Sequence, residues 1–287
     1  MIKNIYKSPE GRKIVESLYR KVLEAPFLPS FEQLFIPTDI ARTHVLRFGS
    51  EMNPPILMIH GSASNSASWF GAVRDFTDRF CVYCVDIPGE PGLSEPLRCQ
   101  LKTDEPYRWL KSLLDNLGIK NSRFVTMSLG SWYGLNFAQA EPERVTSLSM
   151  ITTPGLVPAK VSFLFKAIAF GMLGKKGQLL LARTIWHKKE IPAELLEFQE
   201  ITFRHFNPVM EAIPVFPDTQ LKRITAPLQF FGGDCDALID SVKTGARLKE
   251  IHPEAEINIL KNTGHVILDQ FDTIKRFLTF SDPELGY

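Results

Sequence analysis

Arg123-Phe124-Val125-Thr126-Met127-Ser128-Leu129-Gly130-Ser131 runs from an apolar, strand-like stretch into a helix-like one, with a serine at the join. A serine presented at such a turn needs small residues two before and two after it, because strand and helix close tightly around it. Gly130 meets the second requirement, whereas Thr126 is bulkier than the glycine usual at the first. Ser128 would then stand at the carboxyl edge of a sheet, with the N–H of Leu129 pointing at a reacting centre. On these residues alone, a serine in an ordinary strand-helix loop is the competing explanation.

Outward from this point, short apolar runs alternate with helix-like segments. The runs are Phe31–Pro37, Ala41–Phe48, Pro55–His60, Phe80–Ile87, Arg123–Met127, Val145–Ile151, Pro227–Phe231 and Glu256–Leu260. Pro55–His60 and Phe80–Ile87 are apolar on both faces, as strands covered on both sides must be. The stretch Asp104–Leu117 has Thr103 or Asp104 as cap, Pro106 in its first turn and Gly118 after its end. Its Trp109, Leu110, Leu113, Leu114 and Leu117 follow helical spacing and are expected to face the sheet. This β-α rhythm, with little hairpin chemistry, predicts an α/β fold: a mostly parallel eight-stranded sheet with helices on both faces. The first two runs read as an antiparallel edge.

The rhythm breaks after Thr153. From Leu156 to about Arg223 only helices are expected, over Ala159–Leu173, Gln178–His187 and Ala193–Phe206. This defines a helical cap, residues 156–223, inserted between strands 6 and 7 of a core built from residues 1–155 and 224–287. The insert carries phenylalanine at 163, 165, 170, 198, 203, 206 and 216, and an excess of basic over acidic residues. It reads either as a small subdomain with a solvated basic face or as a lid whose apolar underside lines a pocket. The run Val161–Leu173 is apolar enough to touch a membrane surface, but the packed underside of the cap is the expectation.

Composition bounds the partners. Across 287 residues, 33 Lys+Arg balance 32 Asp+Glu, for a net charge of +1, and no basic surplus marks a nucleic-acid binder. With 44% hydrophobic and 23% charged residues, the chain has the profile of a folded globular protein. At this length about 75% of the unfolded surface can be buried, so the core needs no disulfides. Four cysteines make no disulfide framework, and Cys81 and Cys84 would point to opposite faces of a buried strand. The opening MIKNIYKSPEGRK holds no signal-like apolar stretch, and no run approaches the ~18 apolar residues that span a bilayer. A cytoplasmic protein without stable membrane association is expected, as monomer or homodimer. His44, His187, His205 and His252 show no paired ligand spacing, which argues against zinc.

Three further elements give Ser128 a context. His60-Gly61-Ser62 follows the strand Pro55–His60, and the glycine lets the chain turn back so that the Ser62 and Leu129 amides converge. Such donors stabilise the negative oxygen of a tetrahedral intermediate, by about 3–4 kcal/mol each. His60 itself reads as a structural histidine beside that loop. Gly233-Asp234-Cys235-Asp236 follows the seventh run and Gly264-His265 the eighth, so an acid and a histidine can meet the serine at one sheet edge. Either aspartate could supply the acid.

Together these stretches resemble the α/β-hydrolase superfamily, and within it the small bacterial carboxylesterases with a helical cap. The matching segments are Thr43-His44-Val45, HGSASNSASW (60–69), DIPGEPGLS (86–94), LDNLGI (114–119), TMSLGS (126–131), PERV (142–145), GDCDALID (233–240) and NTGHV (262–266). The resemblance implies Ser128 as nucleophile, His265 as base and Asp236, favoured over Asp234, as the acid that orients the histidine. It implies two-step acyl transfer on a small-molecule ester, with the Ser62 and Leu129 amides as oxyanion hole and no cofactor or metal required. Thr126 and Ser131 depart from the glycines common at those positions. Cleavage of another bond on the same triad (carbon–carbon, lactone or amide) is the first alternative. A non-catalytic binding protein of the same fold is the second.

Overall fold

The computed structural model describes residues 5–160, 162–163, 170, 173–187, 190–209 and 211–280. Eight strands form one sheet: β1 Phe31–Ile36, β2 Thr43–Phe48, β3 Pro55–Ile59, β4 Cys81–Val85, β5 Ser122–Met127, β6 Val145–Ile151, β7 Leu228–Gly233 and β8 Glu256–Leu260. Their spatial order is β1-β2-β4-β3-β5-β6-β7-β8. β2 runs antiparallel to both β1 and β4, and every later pairing is parallel. All eight apolar runs are therefore strands, and the expected antiparallel edge is present.

Nine helices complete the described chain: α1 Pro9–Leu23, α2 Val73–Phe76, α3 Glu105–Asn116, α4 Leu129–Ala140, α5 Gly174–Trp186, α6 Ala193–His205, α7 Asp218–Leu221, α8 Ser241–Ile251 and α9 Phe271–Phe280, besides two short 3-10 turns. The period-2 geometry of the strands divides the core in two. Leu57, Ile59, Phe124, Leu148 and Phe230 pack on one face with Trp109 and Leu113 of α3, Tyr133 and Phe137 of α4 and Leu248 of α8. Ile56, Met58, Val125 and Phe231 pack on the other with Tyr19 of α1, Phe76 of α2 and Ile274 and Leu278 of α9. Cys81 joins the first cluster and Cys84 the second, as alternation requires. All four cysteines are free thiols.

α1 precedes the first strand and stands outside the β-α rhythm of the sequence. Ser8 caps it, its hydroxyl accepting the Gly11 N–H at 3.0 Å, and Pro9 opens its first turn. Gly11, Val15 and Tyr19, four residues apart, form its buried stripe. Between β6 and β7 the described residues hold α5, α6 and α7, but the segment is not helical throughout. Phe206 forms an antiparallel bridge with Tyr6, and the flanking amides of Lys7 and Asn207 close it by donating to His205 and Ile5. A single bridge of this kind leaves no periodicity to read. Most of the expected helix 159–173, with the apolar run inside it and Phe165, lies outside the described residues.

β3 is the point where the strand order reverses: the chain leaves it for β4 on one side and returns to β5 on the other. Open α/β sheets form a crevice there, at the carboxyl ends of the strands.

Candidate active site

Ser128 sits in that crevice, between the last residue of β5 and the first of α4. Its backbone holds φ 48° and ψ −118°, a conformation costly for any residue with a Cβ, and its N–H donates to Ile151 O at 2.8 Å. Gly130 is obligatory because an added Cβ would run into the carbonyl oxygens of Ile59 and His60. Thr126 fits for a local reason. Its methyl faces Gly134 one turn into α4, where an added Cβ would lie 3.2 Å away, and its hydroxyl donates to Ser149 O at 3.2 Å. Ser131 is buried, its hydroxyl donating to Ile151 O at 3.4 Å. Both departures from glycine are thus absorbed by packing and a hydrogen bond.

His265 follows β8 and Asp236 follows β7. Nε2 of His265 lies 3.0 Å from Ser128 Oγ, and Nδ1 lies 2.8 Å from Asp236 Oδ2. The other carboxylate oxygen, Oδ1, accepts the N–H groups of Leu238 at 2.8 Å and Ile239 at 3.1 Å. Burial alone raises the Asp236 carboxyl, but the charge and hydrogen bond of His265 and these two amides outweigh it and hold it below its ordinary value. An ionised Asp236 makes Nδ1 the donor, which leaves the Nε2 lone pair facing the serine hydroxyl. Asp234 is exposed; it accepts the Thr263 N–H at 3.3 Å and is also met by the Cys235 side chain and the Asn262 backbone, away from His265. The structure therefore brings Ser128, His265 and Asp236 together and leaves Asp234 outside.

The loop after β3 borders the serine closely: a Cβ on Gly61 would lie 3.2 Å from Ser128 Cβ. Ser62 follows Gly61 and Leu129 follows Ser128, so the two residues named for the oxyanion hole are the chain neighbours of this close contact. His60 is fully buried, and its Nε2 accepts the Ile87 N–H at 2.9 Å. The proton is then on Nδ1, donated to Gly61 O at 2.7 Å, and burial lowers its pKa further. It is a neutral structural residue that fixes the Gly61 turn.

Several functional neighbours carried no sequence signal. The His265 N–H donates to Ile185 O at 2.8 Å, which ties the histidine loop to the end of α5. Lys160 Nζ donates to Asp236 O at 2.7 Å. Asp86 shapes the loop after β4 by accepting the Leu93 N–H at 2.9 Å, and it also meets His44 Nδ1 at 2.7 Å, Tyr19 Oη at 3.2 Å and the Ser66 hydroxyl at 2.6 Å. Residues 20, 42 and 67 positions from Asp86 converge there, a pattern only the fold reveals. Among the described residues no group of three or more His, Cys, Asp or Glu is arranged to hold a metal ion. No described helix is long and apolar enough to cross a membrane.

A family model for the alpha/beta hydrolase fold matches residues 54–200, and the chain belongs to that family. The Bacillus subtilis protein described as uncharacterized carboxylesterase nap is 27% identical over 270 residues, covering 89% of this chain and 88% of the relative. Carboxylesterase YbfK of the same organism is 26% identical over 262 residues, covering 87% of each. The crystal structure of naproxen esterase (carboxylesterase NP) from Bacillus subtilis superposes with a TM-score of 0.84 at 22% identity, over 95% of this chain and 99% of that one. Within the family the chain is a carboxylesterase-like hydrolase.

Proposed function

We propose that the protein hydrolyses carboxylic esters of small to medium acyl chains through an acyl-enzyme on Ser128. The observation that carries this is the unbroken line Asp236–His265–Ser128, with contacts of 2.8 and 3.0 Å. As Oγ attacks the ester carbonyl, His265 Nε2 takes its proton, and Asp236 holds the imidazolium through Nδ1–H. The carbonyl oxygen becomes an oxyanion and accepts from the Ser62 and Leu129 amides. The intermediate collapses when His265 returns the proton to the departing alkoxide, which leaves as alcohol. Water, deprotonated by the same histidine, then attacks the acyl-serine and releases the acid.

The names of the relatives support ester chemistry over other bonds. Residues 156–223 act as the cap in this account, bearing on the histidine through Ile185. Its phenylalanines favour an apolar acyl or alcohol pocket. Phe206 and Phe216 do not contribute to that pocket's supply freely, since they pack on Tyr6 and Trp132 with ring centroids 5.9 and 5.5 Å apart. Free thiols, three of them buried, fit the reducing cytoplasm. The partner is a small ester, met by a monomer or homodimer.

The test is a panel of p-nitrophenyl esters from acetate to decanoate, beside a lactone and a carbon–carbon-cleavable diketone. Turnover of the shorter esters, absent in Ser128→Ala, is expected. Turnover of the lactone or diketone alone would replace ester hydrolysis with the other bond.

A further inference from the structure

Glu90 lies in the loop after β4, and no step above uses it. The residue is 2% exposed. Oε2 accepts the Ala63 N–H at 2.6 Å and the Ser62 hydroxyl at 3.4 Å. Ala63 holds φ 55°, the left-handed region that alanine disfavours. The stretch just beyond Gly61 is thus bent into a shape it would not keep unaided, and the carboxylate is what grips it. The cation beside Glu90 is Arg98, with Nη2 at 3.8 Å from Oε1. The same Nη2 donates to Gly89 O at 3.0 Å and to Asn207 O at 2.8 Å, and the guanidinium lies over the Phe206 ring. Arg98 therefore joins the Glu90 loop to the segment between β6 and β7.

A buried carboxylate whose close cation, among the described residues, stands at 3.8 Å is an expensive way to fill space, because desolvation exceeds what so loose a pair returns. We propose that Glu90 is a positioning residue for the oxyanion pocket. Its carboxylate fixes Ser62-Ala63 so that the Ser62 amide faces the reacting carbonyl, and Arg98 makes that grip depend on the seating of residues 206–207. The inference rests on the proposed function, since it assigns a setting to the Ser62 donor.

The groups facing Glu90 are Arg98, Tyr6 from the N-terminal segment and Tyr133 from α4. Both tyrosines are held neutral by burial. Burial also pushes the Glu90 carboxyl up to about 7, only partly opposed by Arg98, the Ala63 amide and the Ser62 hydroxyl. Its charge, and with it the strength of the grip, is therefore lost as pH falls through neutrality.

The experiment compares the full chain with Glu90→Gln and Glu90→Ala on p-nitrophenyl butyrate, reading kcat and KM separately from pH 5.5 to 9, with thermal melting of each protein. Glu90→Ala is expected to lose about tenfold to a hundredfold in kcat at pH 8 with KM little changed, less than the ~10²–10³ of deleting a whole oxyanion donor. Glu90→Gln keeps an oxygen for the Ala63 N–H and should recover part of that loss. The acid limb of kcat/KM should be steeper in the wild type, where Glu90 loses its charge near neutrality, than in Glu90→Gln, where that loss is absent. Should Glu90→Ala not fold, the folded Glu90→Gln decides: wild-type kcat with an unchanged acid limb overturns the proposal. A wild type inert toward the ester overturns the proposed function and this inference with it, whereas active and indistinguishable variants overturn this inference alone.

Discussion

The backbone N–H of His265 donates to the carbonyl of Ile185 at 2.8 Å. The histidine that reaches Ser128 is thereby pinned by the last turn of α5, a helix from the segment inserted between β6 and β7. Gly264 makes the approach feasible: a Cβ there would lie 2.5 Å from Ile185 O and 2.9 Å from His187 Cβ. These neighbours are helix-end backbone and a Cβ, so they cannot swing aside as a long side chain would. Gly264→Ala is expected to push α5 from the histidine loop and lower kcat by about tenfold or more, since displacements near 1 Å can cost ~10²-fold. Steady-state kinetics at saturating ester, with melting to show that the variant is folded, checks it.

The two aspartates after β7 should behave differently. Asp236→Asn removes the charge that selects the Nδ1–H tautomer, and a loss near 10⁴ in kcat is expected. Asp234 is exposed and its hydrogen bonds stay within its own turn and the Asn262–Thr263 backbone, so Asp234→Asn should stay within a few-fold of wild type. Parallel kcat measurements at pH 8 separate them, and the reverse ranking would move the acid to 234.

The φ of 48° at Ser128 predicts a trade between stability and activity. Both Ser128→Ala and Ser128→Gly should be inactive, but only glycine relieves the backbone, by about 1 kcal/mol. For a chain of this size that corresponds to a Tm roughly 2 °C higher for Ser128→Gly than for Ser128→Ala. Calorimetry of the two variants side by side gives the comparison without reference to activity.

Asp86 should dominate the acid limb of stability. Burial alone raises its carboxyl, but the charge and hydrogen bond of His44, the nearby His60 and the Leu93 amide outweigh this and hold it well below the carboxylate range. A carboxyl lowered on folding contributes stability that is full above its unfolded value near 4 and is lost as pH falls below it. Wild-type Tm should thus fall between pH 5 and 3, with a shallower fall in Asp86→Asn. At pH 7, Asp86→Ala should cost about 3–5 kcal/mol in urea unfolding, because it strands His44 in the core.

The sheet was legible because its strands are apolar on one or both faces and its turns carry glycine and proline. Leu57 and Ile59 alternate with Ile56 and Met58 in the sequence as they do between the two core clusters. Ser128 and His265 were legible for a related reason: each follows a strand directly, so strand assignment alone puts them on one edge. Asp236 needed the resemblance, since spacing could not choose between carboxylates two residues apart. Ile185, Glu90 and the His44–Asp86 pair were illegible, because their partners are distant in sequence and act through backbone groups or buried charges that carry no period. Helix α1 had a visible signal in Ser8-Pro9 and the spacing of Val15 and Tyr19.

The central claim is that Ser128 is an activated nucleophile. Intact-mass spectrometry after incubation with a fluorophosphonate, followed by mapping of the labelled peptide, tests it directly. One adduct on Ser128, absent from Ser128→Ala and strongly slowed in Asp236→Asn, is the predicted result. Folded protein that takes no adduct, or takes it on another residue, would contradict the claim and give precedence to a binding role for the same fold.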